Sequence, residues 1–172
     1  MQMKQVLIIL RGAPASGKTT IGKNLRDFHN KIVWLKVDNF KPFFSENLEE
    51  ALPVVNETAL VTLRYLLDQG NSVIFDGIFR NPIYVKKAME YAKNKNIPCV
   101  FYQLSCSLKR LQERDRLREG VKEGCRKPLG DEVIEKIYNE LENTKIEGAI
   151  PLDTENNSLP DYIEIIKKNF VS

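Results

Sequence analysis

Eight residues near the start of the chain have the types and spacing of a loop that binds phosphate. Residues 12–19 follow the pattern GxxxxGK[ST] and come one residue after the apolar run 6–10. A glycine at each end lets the backbone curl so that successive N–H groups point at one anion. Lys18 can reach the β- and γ-phosphates of a nucleoside triphosphate, and the Thr19 hydroxyl can ligate Mg²⁺. The residues expected to contact the nucleotide here are Gly12, Ala13, Pro14, Ala15, Ser16, Gly17, Lys18, Thr19 and Thr20.

Two aspartates follow apolar runs later in the chain. Asp38 comes directly after residues 32–37, where a carboxylate could orient an acceptor hydroxyl and take its proton during phosphoryl transfer. Asp76 follows residues 73–75, where it could hold Mg²⁺ or contact the acceptor. For each aspartate the alternative is a structural role in a turn, which Asp residues often fill.

Arginines could supply the positive charge that a triphosphate needs. Arg110, Arg114 and Arg118 recur every four residues and therefore share one helix face. Three like charges on one face repel one another unless an anion compensates them, and a bound triphosphate would do so. An exposed helix with mixed salt bridges is the alternative. Arg80 could clamp an anionic or polyol acceptor, or it could be a solvated surface residue.

The elements that must position these residues alternate between short apolar runs and longer helical patterns. The runs predict strands at 6–10, 32–37, 73–75, 99–104 and 149–152, with Trp34 in the core. The helical patterns cover 18–28, 54–69, 82–93, 108–119, 131–143 and 159–169. Because the strands have no polar face, we expect a parallel sheet covered by helices on both sides. The phosphate loop then marks the carboxyl edge of that sheet as the active edge.

Two segments interrupt this alternation. Residues 120–130 are rich in glycine and charge and separate two predicted helices, so we expect a mobile lid over about 119–130, with an ordinary surface loop as the alternative. Residues 41–53 contain Pro42, Phe43 and Phe44 together with several acids. Their aromatic side chains could line an acceptor pocket or cap the core.

The composition limits the class of protein. A chain of 172 residues, 42% hydrophobic and 28% charged, is long enough for one sizeable core, so we expect a single domain over 1–172. The net charge of +3 is too small to indicate nucleic acid or a membrane surface as a partner. Three cysteines without a CxxC spacing indicate a reducing compartment, and no apolar run approaches the ~20 residues that cross a bilayer. We expect a cytoplasmic protein, and its oligomeric state stays open.

These motifs resemble those of the P-loop kinase group that contains gluconate kinase, shikimate kinase, chloramphenicol phosphotransferase and polynucleotide 5′-hydroxyl kinase. The likeness covers nearly the whole chain. Residues 12–19 match the Walker A loop of the group, Val37-Asp38 is similar to the position of its acceptor-activating aspartate, and residues 111–120 resemble its lid-entry helix. The resemblance implies a three-layer α/β P-loop nucleoside triphosphate hydrolase fold, with a five-stranded parallel sheet in the order 2-3-1-4-5, helices on both faces and a short lid.

The resemblance also implies roles for single residues, with ATP and Mg²⁺ as cofactors. Arg114 and Arg118 would contact the triphosphate and stack near the adenine, and Thr154 lies in the stretch that is similar to the loop bordering the adenine. Asn39 stands where shikimate kinases carry a second acid, which disfavours shikimate. The expected catalytic residues are Lys18, Asp38, Arg114 and Arg118, with Arg110 as a further nucleotide contact, Asp38, Asp76 and Arg80 toward the substrate, and Thr19 and Asp76 toward the metal.

Three functions are compatible with these residues. We expect an ATP-dependent kinase that transfers the γ-phosphoryl group to a hydroxyl of a small molecule. A polynucleotide 5′ end is an alternative acceptor, but it would call for a basic groove that the near-neutral charge does not favour. An ATP-binding regulatory module with slow hydrolysis is the other alternative. A GTP switch is disfavoured, because Asn94-Lys95-Asn96 is followed by Ile97 where the guanine-binding aspartate belongs.

Overall fold

A parallel sheet of five strands forms the centre of the fold. The computed structural model describes residues 4–44, 48–118 and 127–171. Within these residues the strands are β1 (Leu7–Arg11), β2 (Ile32–Lys36), β3 (Ser72–Gly77), β4 (Cys99–Ser105) and β5 (Ile150–Asp153). They lie in the order β2-β3-β1-β4-β5, and each neighbouring pair is parallel. The α/β class and the strand order expected from the sequence are therefore confirmed.

Helices connect the strands and cover the sheet. They are α1 (Lys18–Arg26), α2 (Leu48–Asp68), α3 (Ile83–Asn94), α4 (Leu108–Arg116), α5 (Asp131–Asn143) and α6 (Leu159–Lys167), with short 3₁₀ helices at Val37–Phe43 and Lys168–Phe170. Among the described helices, none has the length and apolar character needed to cross a membrane. Of the expected lid, residues 119–126 lie outside the described part of the chain, and residues 127–130 have no regular secondary structure.

The largest boundary difference from the sequence prediction is at α2, which begins at Leu48 and not at residue 54. The prediction placed Pro53 in the irregular segment before the helix. Here Pro53 lies within the second turn, where its missing N–H costs only one helical hydrogen bond. Glu49 and Glu50 in the first turn oppose the positive end of the helix dipole and favour the earlier start.

The two faces of the sheet bury different helices. Leu7 and Ile9 of β1 face α2 and α3, whereas Ile8 and Leu10 face α1 and α6. All five residues of β1 are buried, as expected for the central strand of a sheet covered on both faces. Burying each such side chain contributes about 1.5–3 kcal/mol. The strand that leads into the phosphate loop is thus firmly anchored in the core, as is β3, whose six residues are also buried.

The carboxyl ends of the strands bring the candidate residues to one edge. Register pairs Asp76 of β3 with Leu10 of β1 on one side and with Lys36 of β2 on the other. The 3₁₀ helix that follows β2 carries Asp38. A third apolar cluster, which includes Ala13 and residues of α4 and α5, covers the start of the phosphate loop. Elements from most of the chain length therefore converge on this loop.

Candidate active site

The phosphate loop is shaped by its two glycines. Gly17 has a φ of 96°, a left-handed conformation that glycine adopts without steric cost. A Cβ atom on Gly12 would lie 2.7 Å from the Oγ atom of Ser16 and 3.0 Å from the Cβ atom of Leu104. The loop leads directly into α1, whose first N–H groups have no partner within the helix and so suit an anion.

Lys18 is the buried cation of this loop. Its ammonium donates hydrogen bonds to the carbonyl oxygens of Gly12, at 2.8 Å, and Ala13, at 2.9 Å. Burial lowers the pKa of Lys18 to about 8, although the charges of Asp76 and Asp38 act in the opposite direction. A buried charge that is held mainly by neutral carbonyl groups gains most from a nearby anion. The site of Lys18 therefore fits a phosphate group.

A cavity of about 230 Å³, the phosphate-loop cavity, opens above the loop. Four cationic side chains and two carboxylates line its described part, so the lining carries an excess of positive charge. Such a lining fits a polyanion such as a nucleoside triphosphate. The lining residues are Pro14, Ala15, Ser16, Gly17, Lys18, Thr19, Thr20, Lys36, Asp38, Asp76, Gly77, Ile78, Arg114, Arg118 and Leu129.

Asp76 and Thr19 are the side chains here that could hold Mg²⁺. Asp76 is buried, and its Oδ2 atom accepts a hydrogen bond of 3.0 Å from the indole N–H of Trp34. Burial raises the pKa of Asp76, while Lys18 and the hydrogen bond from Trp34 oppose that rise. Among the residues that the structure describes, no group of three or more His, Cys, Asp or Glu side chains could hold a metal. Mg²⁺ commonly takes one or two protein ligands together with substrate phosphates, a pattern that these two residues fit.

The three arginines of the predicted helix face occupy different environments. Arg114 and Arg118 line the phosphate-loop cavity. Arg114 also donates to the carbonyl oxygen of Thr154, which fixes the arginine against the loop after β5. Arg110 does not line this cavity, and its guanidinium pairs with Glu113 at 3.1 Å. The structure thus places two of the three arginines at the site, and Thr154 behind one of them.

A second cavity, of about 260 Å³, adjoins the first. Asp38 and Ile78 line both cavities, so Asp38 lies at their junction. Asp38 also forms an ion pair of 2.7 Å with Lys41. The lining residues are Val37, Asp38, Lys41, Glu49, Leu52, Pro53, Asn56, Ile78, Phe79, Arg80, Asn81, Tyr84 and Ile137.

The aromatic residues expected near this second cavity do not line it. Phe43 is 80% exposed, and Phe44 packs against the apolar core beneath α2. Phe44 therefore fits the alternative prediction, in which these aromatic side chains cap the core. Arg80 does line the cavity, but its guanidinium is engaged by the carboxylate of Glu140 and lies 3.5 Å from Glu49. It is not the solvated surface arginine that the sequence left as an alternative.

Arg11 is a buried residue that the sequence analysis missed. It is the last residue of β1, and its guanidinium donates to the carbonyl oxygen of Phe79, to Gln103 and to Thr144. Burial lowers the pKa of Arg11 to about 10. Through these contacts Arg11 joins the start of the phosphate loop to the loop after β3. The sequence feature that could have indicated this role is the position of Arg11 between an apolar run and Gly12.

Asp115 and Trp34 were also missed. Asp115 is fully buried, and its Oδ2 atom accepts the backbone N–H groups of Leu129, at 2.8 Å, and Gly130, at 3.1 Å. Its other oxygen lies 3.1 Å from Arg118. Trp34 was expected only in the core, whereas it also binds Asp76. Trp34 thus holds the carboxylate of Asp76 by a hydrogen bond, and Asp115 forms an ion pair with Arg118.

The chain belongs to a known family. The family AAA_33, described as an AAA domain, has a model that matches residues 7–143. This match runs from β1 to the end of α5 and includes the phosphate loop, Asp38, Asp76 and α4. No curated protein sequence matches the chain significantly.

Solved structures of a gluconokinase and of other proteins share the fold. A gluconokinase from Sinorhizobium meliloti 1021 is 17% identical, with a TM-score of 0.66 over 95% of this chain and 90% of that chain. The tunicamycin resistance protein of Deinococcus radiodurans is 17% identical, with a TM-score of 0.67 over 96% and 95%. A chain of the Pnkp1/Rnl/Hen1 RNA repair complex is 22% identical, with a TM-score of 0.65 over 92% and 51%. At these identities the likeness shows the fold, and it confirms the resemblance to P-loop kinases.

Proposed function

We propose that the protein is an ATP-dependent kinase that transfers the γ-phosphoryl group to a hydroxyl of a small molecule. The observation that carries this proposal is the position of Asp38, which lines both the phosphate-loop cavity and the second cavity. A carboxylate at such a junction can align an acceptor hydroxyl in one cavity with a phosphate in the other. Phosphoryl transfer depends mostly on this alignment and on charge neutralisation.

The proposed step is a single displacement at the γ-phosphorus. The acceptor oxygen forms a bond to phosphorus, and the bond from phosphorus to the oxygen bridging the β- and γ-phosphates breaks, so that ADP leaves with the electron pair. The hydroxyl proton passes to a carboxylate oxygen of Asp38. Lys18, Arg114 and Arg118 neutralise the negative charge of the phosphate oxygens. Mg²⁺ held by Thr19 and Asp76 would add to that neutralisation.

The fixed position of the cations supports this proposal. Lys18 is held by two carbonyl groups of its own loop, and Arg114 is held by Thr154. Donors that are already oriented need little reorganisation when charge develops, which is the main source of electrostatic catalysis. The family membership and the kinase fold of the neighbours agree with a phosphotransferase.

Acceptor-dependent release of ADP tests the proposal. The purified protein with ATP and Mg²⁺ is assayed against a panel of alcohols, sugars, nucleosides and oligonucleotides with a free 5′-hydroxyl. We expect at least one small alcohol to raise ADP release well above the rate with water alone, and the phosphorylated product to appear in equal amount. If oligonucleotide ends alone raise the rate, the polynucleotide alternative replaces the small-molecule acceptor. If no acceptor raises it, the protein is not a kinase of this class, and the regulatory module with slow hydrolysis becomes the better interpretation.

A further inference from the structure

The charged side chains that line the second cavity are all held by neighbours of opposite charge. Lys41 and Asp38 form an ion pair of 2.7 Å in which both side chains are about four-fifths buried. Arg80 donates from Nε and Nη2 to the two carboxylate oxygens of Glu140, and its Nη1 atom lies 3.5 Å from Glu49. The cavity therefore presents ion pairs to a ligand and no cation without a carboxylate partner among the described residues.

The charged side chains of this cavity are paired, so its described lining has no excess of positive charge to attract an anion. Asp38 and Glu49 supply two carboxylates against the two cations Lys41 and Arg80, and Glu140 engages Arg80 from outside the lining. A carboxylate or phosphate on the acceptor would have to displace Glu140 from a two-point guanidinium–carboxylate contact, which is among the strongest polar contacts in proteins. The hydrogen bonds that Arg80 donates to Glu140 raise the pKa of Arg80, in keeping with a tight pair. Ion pairs of this kind disfavour an anionic ligand, and selectivity can come from such unfavourable contacts as well as from favourable ones.

The uncharged groups of the cavity are suited to hydroxyls. The Nδ2 atom of Asn56 donates to the carbonyl oxygen of Leu52 at 2.7 Å, which leaves its Oδ1 atom to accept a hydrogen bond from a ligand. The Oδ1 atom of Asn81 accepts the N–H of Ile83 at 3.0 Å, which leaves its Nδ2 atom to donate. The apolar part of the lining consists of Val37, Leu52, Pro53, Ile78, Phe79 and Ile137.

From this lining we infer that the phosphoryl acceptor is an uncharged polyhydroxylated molecule with an apolar face, and not a carboxylate or phosphate compound. The inference rests on the proposed kinase function and adds the chemical class of the acceptor. The amide groups bind hydroxyls, the apolar side chains cover the carbon skeleton, and the ion pairs reject a negative charge. In this interpretation Glu140 is a positioning residue that acts through Arg80.

Matched pairs of acceptors test this inference. Sorbitol is compared with gluconate, and a nucleoside with its 3′-monophosphate, so that the members of each pair differ mainly in charge. We expect kcat/KM to be at least about tenfold higher for the uncharged member of every pair that is phosphorylated. An anionic member that equals or exceeds its uncharged partner overturns this inference and leaves the kinase proposal standing. If no uncharged or anionic acceptor in the wider panel is phosphorylated, the kinase proposal fails, and this inference fails with it.

The variant Glu140→Gln tests the role of the ion pair. It keeps the size of the side chain but removes the charge that holds Arg80, so the preference for the uncharged acceptor should fall about tenfold through a lower KM for the anion. Glu135→Gln on the same helix is the matched control, because Glu135 is exposed and lines neither cavity, and it should leave the preference unchanged.

A second variant covers the case in which Glu140→Gln does not fold. Glu49 is 74% exposed, so Glu49→Gln should fold normally and lower the preference by about two- to threefold, in proportion to its longer contact with Arg80. Thermal melting of each variant establishes folding before the kinetics are compared. A preference that stays the same in every folded variant overturns the assignment of selectivity to these carboxylates.

Discussion

The two cavities meet at Asp38, but the cations that line them have different kinds of partner. In the phosphate-loop cavity, Lys18 and Arg114 are held by carbonyl oxygens, and positive charge exceeds negative charge in the described lining. In the second cavity, Lys41 and Arg80 are held by carboxylates. In the proposed function, a ligand would complete the electrostatics of the first cavity, whereas the charged side chains of the second are already paired within the protein. The first would therefore select by charge, and the second by shape and hydrogen bonding.

The difference follows from the elements that build each cavity. The phosphate-loop cavity is formed mainly by strand ends and by α1 and α4, whose partners near Lys18 are backbone groups. The second cavity is formed by α2, α5 and the irregular segments after β2 and β3, which bring long charged side chains together from distant parts of the chain. Changes in the two cavities should thus separate nucleotide binding from acceptor selection.

The largest effect is expected for Lys18→Ala. Removing the charge nearest the transferred group should lower kcat about a thousandfold or more and weaken ATP binding. The folded protein should also lose stability, because the variant leaves the buried carboxylate of Asp76 without the nearby charge of Lys18. Steady-state kinetics, calorimetric ATP titration and thermal melting provide the three measurements. Lys31→Ala, at an exposed position before β2, is the control and should change none of them.

The variant Asp38→Asn tests the junction between the cavities. It should lower kcat by at least about a hundredfold, because the amide cannot take the hydroxyl proton, and leave ATP affinity nearly intact. Asp27→Asn, at an exposed residue after α1, is the control for the loss of one carboxylate. An equal loss of ATP binding in Asp38→Asn would instead assign the carboxylate to the nucleotide or its metal, and the two cavities would no longer have separate tasks.

The sequence predicted more of the phosphate-loop cavity than of the second cavity. The geometry of the phosphate loop depends on residues that are close together in the sequence, so the glycine and lysine spacing at residues 12–19 predicts it. The apolar run before these residues places the loop at the end of a strand. The alternation of runs and helical patterns indicated a parallel sheet, so that Asp38 and Asp76 could be assigned to the same edge. These inferences need only local spacing and the rule that parallel strands end together.

Partners that depend on tertiary packing were beyond such rules. Arg80 pairs with Glu140, sixty residues further along the chain, and Trp34 binds Asp76 across neighbouring strands. Periodicity placed Arg110 and Arg118 on one helix face, but α4 ends at Arg116, so Arg118 lies beyond the end of the helix. The sequence identified the charged side chains, but it could not show which of them form ion pairs within the folded protein.

Arg114→Ala and Arg110→Ala test this division of the helix face. Arg114 lines the phosphate-loop cavity, so its loss should lower kcat/KM for ATP by about ten- to a hundredfold. Arg110 pairs with Glu113 at an exposed position, so its loss should have less than about a threefold effect. Lys109→Ala, also exposed on α4, serves as the charge control. Equal effects at Arg110 and Arg114 would restore the single binding face that the spacing predicted.

A smaller effect, confined to the acceptor side, is expected for Lys41→Met. The variant keeps the aliphatic stem of the side chain but removes the ion pair with Asp38. The acceptor KM or kcat should change by about three- to tenfold because Asp38 is then less firmly oriented, while KM for ATP stays the same. Lys86→Met on α3 lines neither cavity and is the control. A change in KM for ATP that matches the change for the acceptor would mean that the second cavity also helps to bind the nucleotide.

A small kinetic effect is expected for Asp115→Asn, which tests a cation of the phosphate-loop cavity that has a carboxylate partner. Asp115 lies 3.1 Å from Arg118 and accepts two backbone N–H groups at the start of α5. The asparagine can still accept hydrogen bonds but cannot pair with Arg118, so stability should fall by about 1–3 kcal/mol and kcat by about threefold. Thermal melting and kinetics are compared with Asp131→Asn, which removes the exposed pair with Arg116. If kcat stays constant while ATP affinity rises about tenfold, the role of Asp115 is to weaken the attraction of Arg118 for the nucleotide, and not to hold its guanidinium in position. Arg118 would then belong with the paired charges of the second cavity, and the contrast between the cavities would be one of degree.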